Sequence, residues 1–520
     1  MRIAIDQIPV EVKEGTTVME AASGIGIQIP SLCYRKGLSN HPSCMVCLVK
    51  DVGSGKFIAS CAHTVREGME IITHSPEIRE LRREALELLL SDHVGDCEAP
   101  CRLSCPAFMN IPRMNRLIAE GKFREALAVV REEIALPLIL GTICPAPCEK
   151  ACRRKPIDGA VSICLLKRVT AQDAERRNSG LLHDVKKNGK KVAVIGTGPA
   201  GLSAAFHLLR HGHGCVLFDQ REEAGGTLRY DIPDEKLPRE FLDADIECIR
   251  GMGGEFRMNT RVGKDFFEKA ILSEFDAVIL ATGSQAVNAI NDFSLEPGEL
   301  GVLINNKTLV TSRPGVFGCG SVVSEEHMAV RSVAQGKTAA IEVDIYFKTH
   351  NPHRIHYKFH SAISHLSGQE YNEYLKESIV LARTEPSWGF RAGFSAEEAM
   401  NEARRCMHCD CRKPLLCRLR QYADEYHVNR KRFMGPERKI LTKSIQHDFV
   451  VYESEKCIRC GLCVEITKRE CEPVGLSQIG RGFDVQIGVP FHENIKAALT
   501  RSAQLCVEAC PTGALAFKSD

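Results

Sequence analysis

The 24 cysteines of this 520-residue chain gather in short-spaced clusters, and no other feature restricts its folding as much. Cys33, Cys44, Cys47 and Cys61 lie near the start, followed by Cys97, Cys101 and Cys105, and then by Cys144, Cys148, Cys152 and Cys164. Cys406, Cys409, Cys411 and Cys417 come later, and Cys457, Cys460, Cys463 and Cys510 close the series. In a reducing compartment such cysteines serve as metal ligands or redox groups, not as a disulfide framework. The clustering favours iron–sulfur chemistry. Cys215, Cys248 and Cys319 stand alone in strand, helix and turn contexts and read as core residues.

Each cluster has its own chemistry. Cys33-x10-Cys44-x2-Cys47-x13-Cys61 supplies the four thiolates of a [2Fe–2S] cluster, although zinc accepts the same set. Cys457-x2-Cys460-x2-Cys463 is a ferredoxin run whose fourth ligand for a [4Fe–4S] cluster is a distant Cys-Pro, here Cys510-Pro511. Cys506 is an alternative fourth ligand and Cys471 is left over. Cys406, Cys409, Cys411 and Cys417 form one four-cysteine metal site, open to [4Fe–4S] or zinc.

Between the cysteine clusters lies Lys191-Lys-Val-Ala-Val-Ile-Gly196-Thr-Gly198-Pro199-Ala200-Gly201. An apolar strand, Val192 to Ile195, runs into Gly-x-Gly-x-x-Gly and then an Ala/Leu-rich helix. This arrangement lets a backbone approach a pyrophosphate at the positive end of the helix. Asp219 closes the next strand, where an acid can bond a ribose hydroxyl.

Two family resemblances organise the chain. Residues 1–74, with strands Arg2–Asp6 and Ile8–Val12 and a helix from Thr17, resemble the β-grasp [2Fe–2S] domain of the large iron–sulfur subunit of respiratory complex I and of iron-only hydrogenases. The amphipathic run Glu77–Asp92 leads to His93, much as a helix in that subunit delivers a His-x3-Cys cluster motif. "GRGFDVQIGVPF" in the ferredoxin-like segment 441–520 resembles the same proteins. From Cys97 the chain resembles the glutamate synthase small-subunit family, through "CPAFMNIPRMNRLIAEGKFREALAVV", "ICPAPCEKACRR" and "ICLLKR". That resemblance implies a helical domain, 75–180, with two [4Fe–4S] clusters. His93, Cys97, Cys101 and Cys152 would hold one; Cys105, Cys144, Cys148 and Cys164 would hold the other.

The same resemblance makes 190–347 a Rossmann-like FAD domain. Its cofactor residues would be Gly196, Gly198, Pro199, Ala200, Gly201 and Asp219, then Gly226 and Thr227, Ala281, Thr282 and Gly283, and Gly320 and Ser321. A helix starting at Gln335-Gly336-Lys337 would close the domain. Two departures stand out. The family inserts an NADPH-binding domain between Gly283 and Thr311, but only residues 284–310 fill that interval, less than a βαβ unit requires. Ser321 stands where the family has an Asp near the flavin. Residues 178–190 read as a linker, and 348–440 as a second linker that carries the four-cysteine site. The histidine-rich stretch 350–369 fits no metal spacing.

The sequence therefore predicts a multidomain α/β and α+β protein. A formal charge of +2 excludes nucleic acid as a main partner, and no run is apolar enough to span a membrane. The N-terminus lacks the apolar core of a signal peptide, which places the chain in the cytoplasm. No nucleophile elbow or catalytic triad appears. The expected role is an iron–sulfur flavoprotein electron-transfer subunit with FAD, one [2Fe–2S] and three to four [4Fe–4S] clusters. Its partner would be an NADH-oxidising flavoprotein subunit of the complex I type, alongside other redox subunits or ferredoxin. The alternatives are a self-contained NAD(P)H-dependent oxidoreductase, and a scaffold or redox-sensing subunit with a vestigial flavin fold.

Overall fold

The computed structural model describes residues 1–176, 185–325, 328–347 and 358–519. Parts of the 178–190 and 350–369 segments lie outside the described residues. The chain divides into two compact units. The first comprises Met1–Ala99, Ile355–Ser378 and His408–Asp520, and the second Pro100–Arg354 and Ile379–Met407. This division cuts across the expected domains 75–180 and 348–440. The helix Pro76–Ser91 packs on the strand Leu48–Asp51 and the helix Arg418–Glu425, so it belongs with the first unit.

The first unit opens with a five-stranded sheet, in the order Ile8–Glu11, Arg2–Ile5, Glu70–Ile72, Leu48–Asp51, Phe57–Ala59. Asp6 and Gln7 connect the first hairpin with φ of 48° and 69°, the left-handed pair that a two-residue turn requires. Ile3, Ile5, Val10, Val49 and Ile71 alternate inward and pack on the helix Val18–Gly24, which a Thr17–Glu20 capping box starts. Buried Arg82, on the helix Pro76–Ser91, donates to Leu48 O at 2.7 Å and Thr73 O at 3.0 Å. Arg82→Met orphans both carbonyls. Hydrogen exchange at Val49 and Ile71 is expected to report a local loss of about 1–3 kcal/mol; unchanged protection would refute that anchoring role.

At the other end of this unit, Val450–Tyr452 pairs antiparallel with Leu515–Phe517. The helices Leu462–Arg469 and Ala503–Ala509 pack beside this ribbon, and Ser477–Ile479 pairs with Gln486–Gly488.

The second unit holds a parallel five-stranded sheet, in the order Val316–Gly318, Ala277–Leu280, Lys191–Ile195, Gly214–Phe218, Glu255–Arg257. Its central strand is buried on both faces. Val192 and Val194 face the helix Pro199–Arg210, while Ala193 and Ile195 face Phe267 and Phe275. The helix expected to start at Gln335 instead spans Ala329–Tyr346. A Cβ on Gly336 would lie 2.1 Å from Ala200 O, so this glycine sits mid-helix to let two helices cross closely. Residues 284–310 form the helix Ala286–Phe293 and the isolated bridges Pro297–Val302 and Ile304–Thr311. Helices Ile111–Ala119, Phe123–Arg131 and Ile163–Arg176 pack together, and Ala396–Ala403 joins them. Lys337 ties this helical part to the sheet by donating to Glu133 at 2.6 Å and to Ala107 O at 3.1 Å, all buried.

Candidate redox centres and nucleotide pocket

Among the described residues no disulfide joins the cysteines. In the first unit, Cys33, Cys44, Cys47 and Cys61 converge in one buried pocket, with the Cys33 and Cys44 sulfurs 3.4 Å apart. The Cys44 and Cys61 thiols lie against Cys33, and Cys61 also lies against Cys47. Ser60 Oγ donates to Cys47 O at 2.7 Å and the Asn40 amide donates to Cys61 O, which pins the loops that carry the sulfurs.

Cys457, Cys460, Cys463 and Cys510 line a second small cavity. Gly461, with φ of 76°, turns the loop into the helix Leu462–Arg469, and the Arg459 amide donates to Cys457 Sγ at 3.3 Å. Cys506 is buried nearby, but its thiol faces Ser502 Oγ and Cys463 O. Cys471 is exposed. Cys33 lies within electrostatic reach of Cys460, and Cys510 within reach of Cys417. The thiol groups of this unit thus follow one another in series.

The third group of this unit differs from the sequence expectation. Cys97 was placed with Cys101 and Cys152, and Cys411 and Cys417 with Cys406 and Cys409. Within the unit, Cys97 neighbours Cys411 and Cys417, and all three are buried. Cys406 belongs to the second unit.

In the second unit, Cys105, Cys144, Cys148 and Cys164 gather around one buried lysine. Cys164 contacts the thiols of both Cys144 and Cys148. Ala146, left-handed at φ 51°, turns the chain between Cys144 and Cys148. Lys167, buried one turn after Cys164, faces all four sulfurs. Burial opposes its charge, but the thiols of Cys164, Cys144, Cys148 and Cys105 outweigh burial and hold its pKa above the usual lysine value. Lys337 adds a second cation near Cys105; burial pushes it down to about 8. Both lysines lie in motifs of the family resemblance, "ICLLKR" and Gln335-Gly336-Lys337, without a role given to either, and Cys164-x2-Lys167 has the spacing that puts two residues on one helix face.

Of the clustered cysteines, Cys101, Cys152 and Cys406 complete this unit, whereas Cys409 falls in the first unit. The helices Pro100–Leu103 and Pro147–Lys150 that precede Cys152 are in contact, and Arg154 donates to the carbonyl of Arg405, the residue before Cys406. Arg405 is fully buried and binds Asp158, Glu402 and the Gly159 carbonyl, which fixes the start of the cysteine loop. Cys215 and Cys319 are buried core thiols, whereas Cys248, also read as a core residue, is half-buried.

A cavity of about 990 Å³ opens at the carboxyl ends of the parallel strands. Gly196, Gly198, Pro199, Ala200, Asp219, Gly226, Thr227, Ala281, Thr282, Gly283, Gly320 and Ser321 all line it. Gly201 lies beneath; its Cβ would come 2.0 Å from Gly196 O. The first-turn amides of Pro199–Arg210 have no side-chain cap, which leaves a positive helix end facing the cavity. Thr282 Oγ1 is buried without a hydrogen-bond partner, a polar atom that a ligand could satisfy. Asp219 accepts from Thr197 N at 2.9 Å, Thr197 Oγ1 at 2.7 Å and Arg221 N at 3.0 Å. A carboxylate has about four acceptor positions, so one is left for a ribose hydroxyl. Gln285, Asn288 and Asp292 from the short 284–310 segment form part of the wall. Ile143 and Pro145, on either side of Cys144, form another part.

Comparison with known proteins agrees with this division of labour. Residues 1–76 match a 2Fe-2S iron-sulfur cluster binding domain, and 91–179 match dihydropyrimidine dehydrogenase domain II, 4Fe-4S cluster. Residues 194–243 match an NAD(P)-binding Rossmann-like domain. The NADPH-Fe(3+) oxidoreductase subunit beta of Geobacter sulfurreducens is 39% identical over 190 residues, 36% of this chain and 28% of the relative. The NADP(+)-dependent formate dehydrogenase subunit beta of Moorella thermoacetica is 37% identical over 210 residues, 36% of this chain and 30% of the relative. The glutamate synthase [NADPH] small chain of Escherichia coli is 38% identical over 212 residues, 40% of this chain and 45% of the relative. The chain thus spans less than half the length of each of these relatives. A solved NAD+-reducing [NiFe]-hydrogenase is 33% identical over 18% of this chain and 38% of that one, with a TM-score of 0.17. Lactococcus lactis thioredoxin reductase is 13% identical, over 31% of this chain and 99% of that one, with a TM-score of 0.23. At such scores neither structural likeness bears on function. Among the described residues no helix is long and apolar enough to cross a membrane.

Proposed function

We propose that this chain is an iron–sulfur flavoprotein electron-transfer subunit of a multi-subunit oxidoreductase, with FAD in the 990 Å³ cavity and the NAD(P)H site on a partner. The observation that carries this reading is the succession of redox-competent groups. Residues flanking Cys144 form part of the cavity wall, and in the other unit the groups at Cys33, Cys460 and Cys417 lie in series. A flavin exchanges electrons in pairs or singly, and iron–sulfur clusters carry one at a time, so the combination converts hydride chemistry into a one-electron current.

The residues would divide the work as follows. The uncapped amides of Gly198 and Ala200 would hold the pyrophosphate, Asp219 a ribose hydroxyl, and Thr282 a further polar atom of the cofactor. Ser321, at the cavity edge, offers a neutral hydrogen bond where the glutamate synthase family supplies charge. Cys33, Cys44, Cys47 and Cys61 would hold [2Fe–2S], while Cys105, Cys144, Cys148 and Cys164 would hold one [4Fe–4S] and Cys457, Cys460, Cys463 and Cys510 another. Lys167 and Lys337 would offset the negative charge that the Cys105 group gains on reduction. The shortness of 284–310 supports a donor site on another chain, in keeping with a complex I-type NADH-oxidising partner.

The test is anaerobic purification of the full chain with iron, sulfide, zinc and flavin quantified, followed by addition of NADH and NADPH. About fourteen to eighteen irons, for one [2Fe–2S] and three to four [4Fe–4S] clusters, and one FAD per chain are expected, with flavin bleaching only after a partner subunit is added. Fast bleaching of the isolated chain would make it a self-contained NAD(P)H oxidoreductase. Intact clusters without flavin would make it a scaffold or sensor.

A further inference from the structure

We propose that His93, Cys97, Cys411 and Cys417 form one [4Fe–4S] site in the first unit, assembled from the two ends of a long excursion of the chain. The three cysteines are buried together. The Cys97 amide donates to Ser361 O at 2.9 Å, and the Ser361 amide donates back to Cys97 Sγ at 3.3 Å. Cys411 is tied to the same strand of chain through its amide, 3.4 Å from Cys97 O. A Cβ on Gly513 would come 2.2 Å from Cys411 Sγ, so this glycine makes room for the sulfur. Cys417 lies within electrostatic reach of both other thiols.

His93 supplies the fourth donor. Its Nδ1 is shielded from solvent and has no hydrogen-bond partner, an arrangement that buried imidazoles normally avoid. The cations around the thiols also face the imidazole. Lys456 faces Cys411 and His93, and Arg430 faces Cys97 and His93. Arg420, held by Glu98 at 2.7 Å, faces Cys97 and Cys411. Three buried or half-buried cations around three thiols suit a centre that takes up a further negative charge on reduction. One imidazole and three sulfurs complete the four positions of a cubane.

Sequence proximity conceals this grouping. The chain leaves the first unit after Ala99 and re-enters for good at His408. Cys101 therefore falls in the second unit with Cys152 and Cys406, although it is four residues from Cys97. The proposal does not depend on FAD in the second unit.

The experiment uses the full chain, purified anaerobically, with iron analysis and electron paramagnetic resonance. Cys97→Ser and Cys411→Ser are each expected to remove the same signal and about four irons, whereas Cys101→Ser leaves that signal in place. His93→Cys retains four ligands, so its iron content should stay unchanged while the signal loses its nitrogen hyperfine coupling and its midpoint potential falls. The proposal is overturned if Cys411→Ser and Cys406→Ser abolish one common signal, or if the site holds zinc. Nitrogen coupling that persists in His93→Cys overturns the assignment of the fourth ligand.

Discussion

Gly196→Ala and Gly198→Ala are expected to empty the nucleotide cavity for two different physical reasons. At Gly196 the backbone has φ of 108°, and an added Cβ would lie 2.2 Å from Ala281 O and 2.7 Å from Ala281 C. Those are backbone atoms at the end of a buried strand and cannot rotate aside. The conformation alone costs about 1–3 kcal/mol, and the overlap adds to it. Gly196→Ala should therefore lose both FAD and thermal stability. At Gly198 the backbone has φ of −70° and an added Cβ meets nothing within 4 Å. Its methyl group would point into space that only a bound ligand fills. Gly198→Ala should keep the melting temperature of the apo-protein and weaken FAD binding by about 10- to 100-fold, or about 1.4–2.8 kcal/mol. Titration of the flavin-free variants with FAD, alongside their melting curves, measures both effects. Native affinity in Gly198→Ala would mean that no pyrophosphate lies against this loop.

The second large effect is expected at Lys167. Its ammonium is buried against Cys105, Cys144, Cys148 and Cys164, where little water screens it. As an order of magnitude, two unit charges about 6 Å apart at an effective dielectric constant of about 20 interact by roughly 2–3 kcal/mol. For a one-electron couple that is about 100 mV. Lys167→Met should make the cluster harder to reduce by about that amount, while Lys167→Arg should restore most of the shift. A redox titration followed by paramagnetic resonance reads the potential directly. A midpoint unmoved in Lys167→Met would place the cluster away from these four sulfurs. Loss of the cluster altogether would instead make the lysine necessary for its retention.

Much of the local structure was legible from residue pattern. The strand–glycine–helix stretch at 191–210, the hairpin Arg2–Glu11 and the helix before His93 follow from apolar periodicity and end residues, which depend on near neighbours alone. The grouping of Cys105, Cys144, Cys148 and Cys164 is an expectation of the family resemblance alone, since no local pattern shows which of several short motifs meet. Other features depend on distant chain. Gln335-Gly336-Lys337 reads as a helix start, yet Gly336 sits mid-helix because Ala200 leaves no room for a side chain. Nothing local in "ICLLKR" assigns Lys167 a role, because the sulfurs it faces come from three separate stretches of chain. Cys97 and Cys101 stand four residues apart, and nothing local reveals that the boundary between the two units falls between them.

That departure also orders events in time. The sheet of residues 1–76 can form as soon as it leaves the ribosome, because its strands and helix are complete. The helix Pro76–Ser91 and Cys97 have no such freedom. Their packing partners, the helix Arg418–Glu425 and the thiols of Cys411 and Cys417, are made only after the whole second unit. At about 5–20 residues per second, that delay is roughly 15–60 s. During this interval the second unit can fold and load its own thiols, while Cys97 waits with its sulfur unprotected. Oxygen exposure during synthesis should therefore damage the first unit's third thiol group before any other.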